Sequence, residues 1–434
     1  MSFAREKYPN FVYEGYKIDG GEVKFHYSVP GQFEFQTVYV FPVSVRDGHH
    51  LSLLGVVESL SYWKAFCSKG LHLKIPAELN SLKESLKTFI INGMGEYFYQ
   101  NRLPFTDSGF LNIILETENR RYDKFDCKLE DKLLLLASGG KDTALSANLL
   151  RKSEIPCSYL LVNPNEQTIK MLSSISPKTE QIVVKRSIDK QILELNQRGF
   201  FNGHVPFSAS LALAGLIVGR SMGFKWVAAS NERSSDEGNV EYLGRIINHQ
   251  YSKTFEFEST LRTWTNYISE RGHSSPQYFS LLRPLYEIQI AELLSRYTET
   301  LPLFLSCNRS SSWCGKCPKC LSVFIMLSPF VDRVTDIFGA DLGNKSELIP
   351  VLHELVGLSK SKPFECVGTY QETLAAIKLA IDRKGVKGLL WNEAARLVAE
   401  SKIDTDSLLS AFSNEHLLPS QFEGLLKNEL RLFS

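Results

Sequence analysis

The period of the apolar positions changes along the chain, and each change marks a different kind of element. Near the N-terminus, Phe11-Val12-Tyr13-Glu14-Gly15-Tyr16 and Glu22-Val23-Lys24-Phe25-His26-Tyr27 predict two strands, with Asp19-Gly20-Gly21 as the hairpin turn between them. Phe33-Glu34-Phe35-Gln36 alternates and runs into the apolar Val38-Tyr39-Val40-Phe41, which predicts a third strand with one buried face. Helices are expected around Leu51–Cys67 and Leu82–Tyr99, followed by a polar linker over Glu118–Lys124.

After that linker the pattern becomes one of unbroken apolar runs. Leu133-Leu134-Leu135-Leu136-Ala137 reads as a parallel strand covered on both faces. Tyr159–Val162, Gln181–Val184 and Trp226–Ala229 repeat that character, alternating with helical patterns such as Leu145–Lys152 and Ser208–Ser221. This favours an α/β fold with a doubly wound parallel sheet. Beyond Val331 the spacing is helical, at Thr373–Ile381, Leu389–Glu400 and Leu408–Phe412. The expected organisation is an N-terminal α+β module over 1–125, an α/β domain over 126–330 and a C-terminal helical unit over 331–434.

Composition narrows the class. The 434 residues are 43% hydrophobic and 22% charged, as expected of a globular chain rather than a disordered one. The start of the chain mixes Arg5, Glu6, Lys7 and Glu14 with no apolar stretch of signal-peptide type, and no later run is long enough to span a bilayer. A reducing cytoplasm is the expected location, where clustered cysteines favour metal binding over disulfides. A net charge of +1 supplies no global field toward nucleic acid or anionic lipid, so neither is an expected partner.

The segment Ser138-Gly139-Gly140-Lys141-Asp142-Thr143 places a glycine turn between the buried strand and a helix, where open α/β sheets bind anions. The two glycines allow close backbone approach, Ser138 and Thr143 add hydroxyls, Lys141 offers charge, and Asp142 can hold Mg²⁺ on a pyrophosphate. The Walker spacing is absent. A simple turn with Asp142 or Thr143 capping the helix is the competing reading. The hexad matches S-G-G-x-D-[ST] and resembles the pyrophosphatase (PP) loop of the N-type ATP pyrophosphatase superfamily, which cleaves ATP to AMP and pyrophosphate; Thr143 stands where serine is more usual.

Cys307, Cys314, Cys317 and Cys320 form a C-x6-C-x2-C-x2-C knuckle over 307–320, and Gly315 permits its tight turn. Four thiolates leave no open position, which predicts a structural Zn²⁺; an iron–sulfur cluster or metal-free thiols are the alternatives. Cys67, Cys127 and Cys157 read as core residues. Cys366, next to Glu365 and near Lys362, is a candidate acid/base thiol.

Several polar blocks remain. His204 lies in Asn202–Pro206, just before a predicted helix, and Glu232 and Arg233 lie in the loop Ser230–Asn239 after a predicted strand. His249 and Lys253 share Asn248–Lys253, and Arg283 follows Tyr278. Arg233, Lys253 and Arg283 are candidates to face an anionic substrate. Together with Asn92–Asn101, Ser306–Arg309, Trp313–Cys320 and Lys362–Gly368, these blocks resemble, in order, the ATP-dependent UDP-N-acetylmuramoyl-L-alanyl-L-glutamate epimerases of bacterial peptidoglycan synthesis. The resemblance covers most of the chain and fades beyond Tyr370.

That resemblance implies an isomerase acting on a UDP-muramoyl dipeptide on a fold of the PP-loop ATP pyrophosphatase type. ATP would activate the terminal L-glutamate as an acyl-adenylate, and the product would carry D-glutamate. ATP would be held by Ser138, Gly139, Gly140, Lys141, Asp142 and Thr143. The proton-transfer groups are expected among His204, Glu232, His249 and Cys366. Two other readings stand beside this one: a relative of 7-cyano-7-deazaguanine synthase, which shares the loop and a cysteine-bound zinc, and a zinc-knuckle nucleic-acid-binding protein.

Overall fold

The computed structural model describes residues 2–118, 127–270 and 274–431. Its strands are β1 (Asn10–Asp19), β2 (Glu22–Val29), β3 (Phe33–Val40), β4 (Gly70–Pro76), β5 (Asn112–Glu118), β6 (Glu130–Leu136), β7 (Cys157–Val162), β8 (Gln181–Ile188), β9 (Phe224–Ala229), β10 (Val240–Tyr242), β11 (Arg245–Ile247) and β12 (Gln277–Ser280). Ten of them form one sheet in the order β12-β9-β6-β7-β8-β3-β2-β1-β4-β5, and β10 and β11 pair as a small hairpin.

The half from β12 to β8 is parallel throughout. The chain runs outward from β6 through β7 to β8, then returns to the other side of β6 for β9 and β12. That reversal opens a crevice beyond the carboxyl ends of β6 and β9, the usual ligand position in such sheets. β8 also pairs antiparallel with β3, Val40 standing opposite Lys185, so the N-terminal strands extend the same sheet.

Pleating explains the unbroken apolar runs. Leu134 and Leu160 pack in one core with the helices Gly48–Phe66 and Phe207–Ser221. Leu133, Leu135, Tyr159 and Leu161 pack in the opposite core with Lys141–Arg151 and Pro318–Leu327. Alternate residues therefore enter different layers, and both layers are buried.

Two predicted helices differ from those observed. Leu82–Tyr99 is broken at Met94 into Lys83–Gly93 and Gly95–Gln100. The flanking glycines answer to close packing: a Cβ on Gly93 would stand 3.1 Å from Pro206, and one on Gly95 would stand 3.3 Å from Ile247. Leu408–Phe412 is covered only in part by Thr405–Ser410, because Ala411 is extended and the Leu409 and Ala411 carbonyls accept from Gln289 Nε2 instead of continuing a helix. Glu118 ends β5, and the rest of the expected linker lies outside the described residues.

In the C-terminal region, Tyr370–Lys384 begins with a reciprocal Thr369–Glu372 cap. The buried Glu372 Oε1 also accepts from Ser234 Oγ at 2.9 Å and from the Ile288 N–H at 3.2 Å, which anchors this helix to the loop after β9. Among the described residues no helix is long and apolar enough to cross a membrane.

Candidate active site

At the end of β6 the chain turns through Ser138 and Gly139 into the helix Lys141–Arg151. The Ser138 N–H and hydroxyl each lie 3.1 Å from Thr143 Oγ1, closing the turn. Gly139 has no room for a side chain, since a Cβ there would stand 2.7 Å from Thr168 Oγ1. The helix cap is Gly140, which contributes no side-chain bond; Asp142 and Thr143 lie inside the first turn rather than acting as caps. The positive end of the helix therefore borders a cavity of about 510 Å³ lined by Ser138, Gly139, Asp142, Thr143, Asn231 and Lys253, among others.

Lys141 does not line this cavity. Its side chain, expected to offer charge to phosphates, is buried beneath the loop, paired with Asp142 and 3.3 Å from Glu287 Oε1. Lys319 reaches the same Glu287 oxygen at 3.7 Å. The physical reason is charge balance: an interior carboxylate needs cations near it, and Lys141 is the nearest. Burial works to raise the Asp142 pKa, but Lys141 and Lys319 outweigh it and lower it, so this carboxylate stays ionised at the cavity wall. Glu232 is moved the other way, its pKa pushed up by burial and by the Asp142 charge. It belongs to the charge cluster under the loop rather than to the histidines.

A second cavity of about 180 Å³ adjoins the first, the two sharing Phe207, Ser208 and Lys253. His204, His249 and Cys366 line it. Lys253 Nζ lies 3.1 Å from Cys366 Sγ. Burial alone would raise the Cys366 thiol; the Lys253 charge, a hydrogen bond from His249 and the Lys319 charge bring it down to about 5. His249 Nδ1 stands 2.5 Å from Glu96 Oε2. Burial disfavours the His249 charge, but Cys366 and Glu96 more than compensate and raise its pKa to about 9. His204, with its ring centroid 4.4 Å from that of His249, is held neutral: burial and then the His249 charge lower its pKa to about 3. Two adjacent imidazoles are thus poised in opposite protonation states, the arrangement expected of an acid and a base.

Asn239 brings these segments together. Its Oδ1 accepts the His249 N–H at 2.8 Å, and its Nδ2 donates to Pro363 O at 2.7 Å. The Lys319 ammonium donates to the Cys366 carbonyl, fixing the other end of that segment.

Of the three cations grouped for an anionic substrate, only Lys253 borders the two cavities. Arg283 is buried, 2.6 Å from Asp236 Oδ2 and donating to the Lys253 carbonyl at 3.0 Å; it holds the Lys253 loop in place. The Arg233 guanidinium lies over the Tyr286 ring, 4.7 Å from its centroid. Sequence reasoning did not single out Glu96 or Glu287. Glu96 alone had a signal, an acid set among glycines and aromatics in Asn92–Asn101.

The sulfurs of Cys307, Cys314, Cys317 and Cys320 lie within 4.8 Å of one another, a candidate metal centre. Cys314 and Cys320 are 3.7 Å apart. Tetrahedral Zn–S bonds of about 2.3 Å would separate ligands by about 3.8 Å, so the donor set fits that ion. Gly315 makes the turn at φ 60°, and Cys317 caps the helix Pro318–Leu327.

Comparison with known proteins agrees along most of the chain. Residues 2–281 match the family model described as the MurL N-terminal domain, and residues 303–407 match the MurL C-terminal domain. Proteins named UDP-N-acetyl-alpha-D-muramoyl-L-alanyl-L-glutamate epimerase are similar to it. The one from a Micromonospora species is 33% identical over 405 residues, covering 86% of this chain and 87% of the relative. The one from Salinispora tropica is 31% identical over 88% of this chain and 86% of its own length. The one from Xanthomonas oryzae pv. oryzae is 29% identical over 85% of this chain and 83% of its own length.

Proposed function

This chain belongs to the MurL family, and from that premise we propose that it inverts the terminal glutamate of UDP-N-acetylmuramoyl-L-alanyl-L-glutamate, using ATP and releasing AMP and pyrophosphate. The observation that carries the reading is the junction of two cavities at Lys253, one walled by the Ser138–Thr143 loop and the other by His204, His249 and Cys366. Activation and proton transfer have adjacent places.

The chemistry requires that order. An ionised α-carboxylate resists a second negative charge on the neighbouring carbon, whereas an acyl-adenylate can delocalise it into the carbonyl. The loop, as a PP-loop of the ATP pyrophosphatase type, would hold the phosphates through backbone N–H groups and the Ser138 and Thr143 hydroxyls. Asp142 would hold Mg²⁺, which neutralises charge on the leaving pyrophosphate. Lys253 faces the reacting carboxyl from the shared wall. Proton transfer to and from Cα falls to His204 and His249 beside the Cys366 thiolate, with Glu96 orienting the histidines. The four clustered cysteines would hold a structural Zn²⁺ that fixes the segment carrying Lys319.

Incubation with ATP, Mg²⁺ and the L-glutamate substrate should yield AMP, pyrophosphate and the D-glutamate product together. ADP and phosphate as the nucleotide products would contradict the loop assignment.

A further inference from the structure

Cys366 completes an arrangement that proton transfer alone does not call for. Its sulfur borders the small cavity, 3.1 Å from the Lys253 ammonium. His249 lines the same cavity and its charge favours the thiolate, while its Nδ1 is held at 2.5 Å by Glu96. Nucleophile, imidazole and orienting carboxylate stand in the order used for covalent acyl transfer. Lys253 lies on the wall shared with the phosphate-loop cavity, so the sulfur faces the place where an activated carboxyl would be delivered.

Building on the proposed adenylation, we infer that Cys366 is a covalent nucleophile: the glutamyl group passes from the adenylate to its sulfur, and inversion takes place on the resulting thioester.

The step balances. The Cys366 thiolate attacks the α-carbonyl carbon of the acyl-adenylate, a C–S bond forms, the C–O bond to phosphate breaks, and AMP leaves with the bonding pair. His204, held neutral with a buried Nε2 that has no hydrogen-bond partner among the described residues, then takes the Cα proton. The enolate of a thioester is more accessible than that of a carboxylate, and the Lys253 ammonium stands beside the sulfur to stabilise its oxygen. His249, protonated, returns a proton to Cα. Water then attacks the thioester, the C–S bond breaks with its electrons returning to sulfur as thiolate, and the D-glutamyl carboxylate leaves. Of the water's two protons one restores the His249 imidazolium and the other is released, and His204 gives up to solvent the proton it took. One ATP and one water are consumed per inversion, with no oxidant or reductant.

A thiolate of low basicity suits this role better than that of a base toward carbon. Basicity falls in full with the pKa, whereas nucleophilicity falls only about half as fast. Such a sulfur attacks well and withdraws weakly as a base, and it is also a good leaving group in the final hydrolysis.

The test is acid quench of a single turnover of the full-length enzyme with ATP, Mg²⁺ and the L-glutamate substrate, followed by intact-protein and peptide mass spectrometry. The expected result is an adduct equal to substrate minus water on the Cys366 peptide, released by neutral hydroxylamine. In parallel, Cys366→Ala should still catalyse ATP–pyrophosphate exchange while its AMP release falls by roughly 100-fold or more, because the adenylate then has no thiolate acceptor. If Cys366 were only a base, this variant would go on releasing AMP, by hydrolysis of the adenylate, while failing to invert; that outcome, or a quenched wild type without adduct, overturns the thioester. Cys366→Ser guards against a variant that merely misfolds, since it should retain exchange and accumulate a longer-lived oxygen ester. Absence of ATP–pyrophosphate exchange in the wild type would instead overturn the adenylation reading beneath it.

Discussion

Glu96 Oε2 and His249 Nδ1 meet at 2.5 Å although 153 positions separate them in the chain. The contact depends on the break at Met94, which starts a short new helix and points Glu96 toward the loop after β11. A carboxylate in this position favours the imidazolium and fixes which ring nitrogen it engages.

Glu96→Gln keeps the shape and removes the charge. Turnover should fall by roughly 10²–10⁴-fold with little change in melting temperature. The signs of the two shifts set the pH dependence. His249 has a raised pKa, so its contribution to stability is fully present below its unfolded value of about 6.5 and is lost as pH rises through about 9. Cys366 has a lowered pKa, so its contribution is present above its unfolded value of about 8.5 and is lost as pH falls through about 5. The thiolate–imidazolium pair therefore exists between about pH 5 and 9. The pH dependence of iodoacetamide alkylation should show the lower limit in the wild type, and Glu96→Gln should move the upper limb of the activity profile to lower pH. An unmoved upper limb would detach Glu96 from His249.

Lys141 tests a different interaction. Lys141→Met fills similar space but leaves the buried Glu287 with Lys319 at 3.7 Å as its remaining ion pair among the described residues. Loss of one partner from a buried pair costs about 3–5 kcal/mol, so the variant should unfold at markedly lower urea. Were Lys141 instead a surface phosphate ligand, stability would hold and only ATP affinity would drop.

The parts legible in the sequence are those written contiguously. The β6 run could be read because both faces of that strand are covered, and the loop after it because its six residues are adjacent in the chain. The cysteine cluster was legible for the same reason. The pairing of β3 with β8 was not, since periodicity shows that a strand has a buried face but not which edge it joins. Glu96, His249 and Cys366 converge only through that strand order and through Asn239. The burial of Lys141 depends on Glu287, a residue with no local signature. Met94 was missed because apolar spacing continues through the break, although glycines on each side marked it.

The cysteine cluster should bind about one zinc per chain. Metal analysis of untagged protein measures it, and chelation or Cys317→Ser should lower the melting temperature through loss of a folding ligand. Because Lys319 lies between Cys317 and Cys320 and its ammonium donates to the Cys366 carbonyl, metal loss should also disturb Cys366 alkylation before global unfolding. A metal-free protein of equal stability would remove the metal from the account.

The sharpest prediction follows from placing activation and inversion side by side. If the carboxyl must be activated before the α-proton becomes acidic, exchange of that proton with solvent must depend on ATP. Incubating UDP-N-acetylmuramoyl-L-alanyl-L-glutamate with enzyme in deuterated water, with and without ATP and Mg²⁺, and reading Cα by mass and chirality tests this directly. Deuterium and D-glutamate should appear only with ATP, and neither should appear with Asp142→Ala, which removes an ionised carboxylate from the cavity wall and leaves the packing of Leu145 and Leu149 untouched. Variants of His204 and His249 should then separate, because loss of one proton-transfer partner can stop inversion while exchange through the other continues. Inversion without ATP would contradict the ordering, and ATP consumption with an inert glutamate would point to a different substrate for the same site.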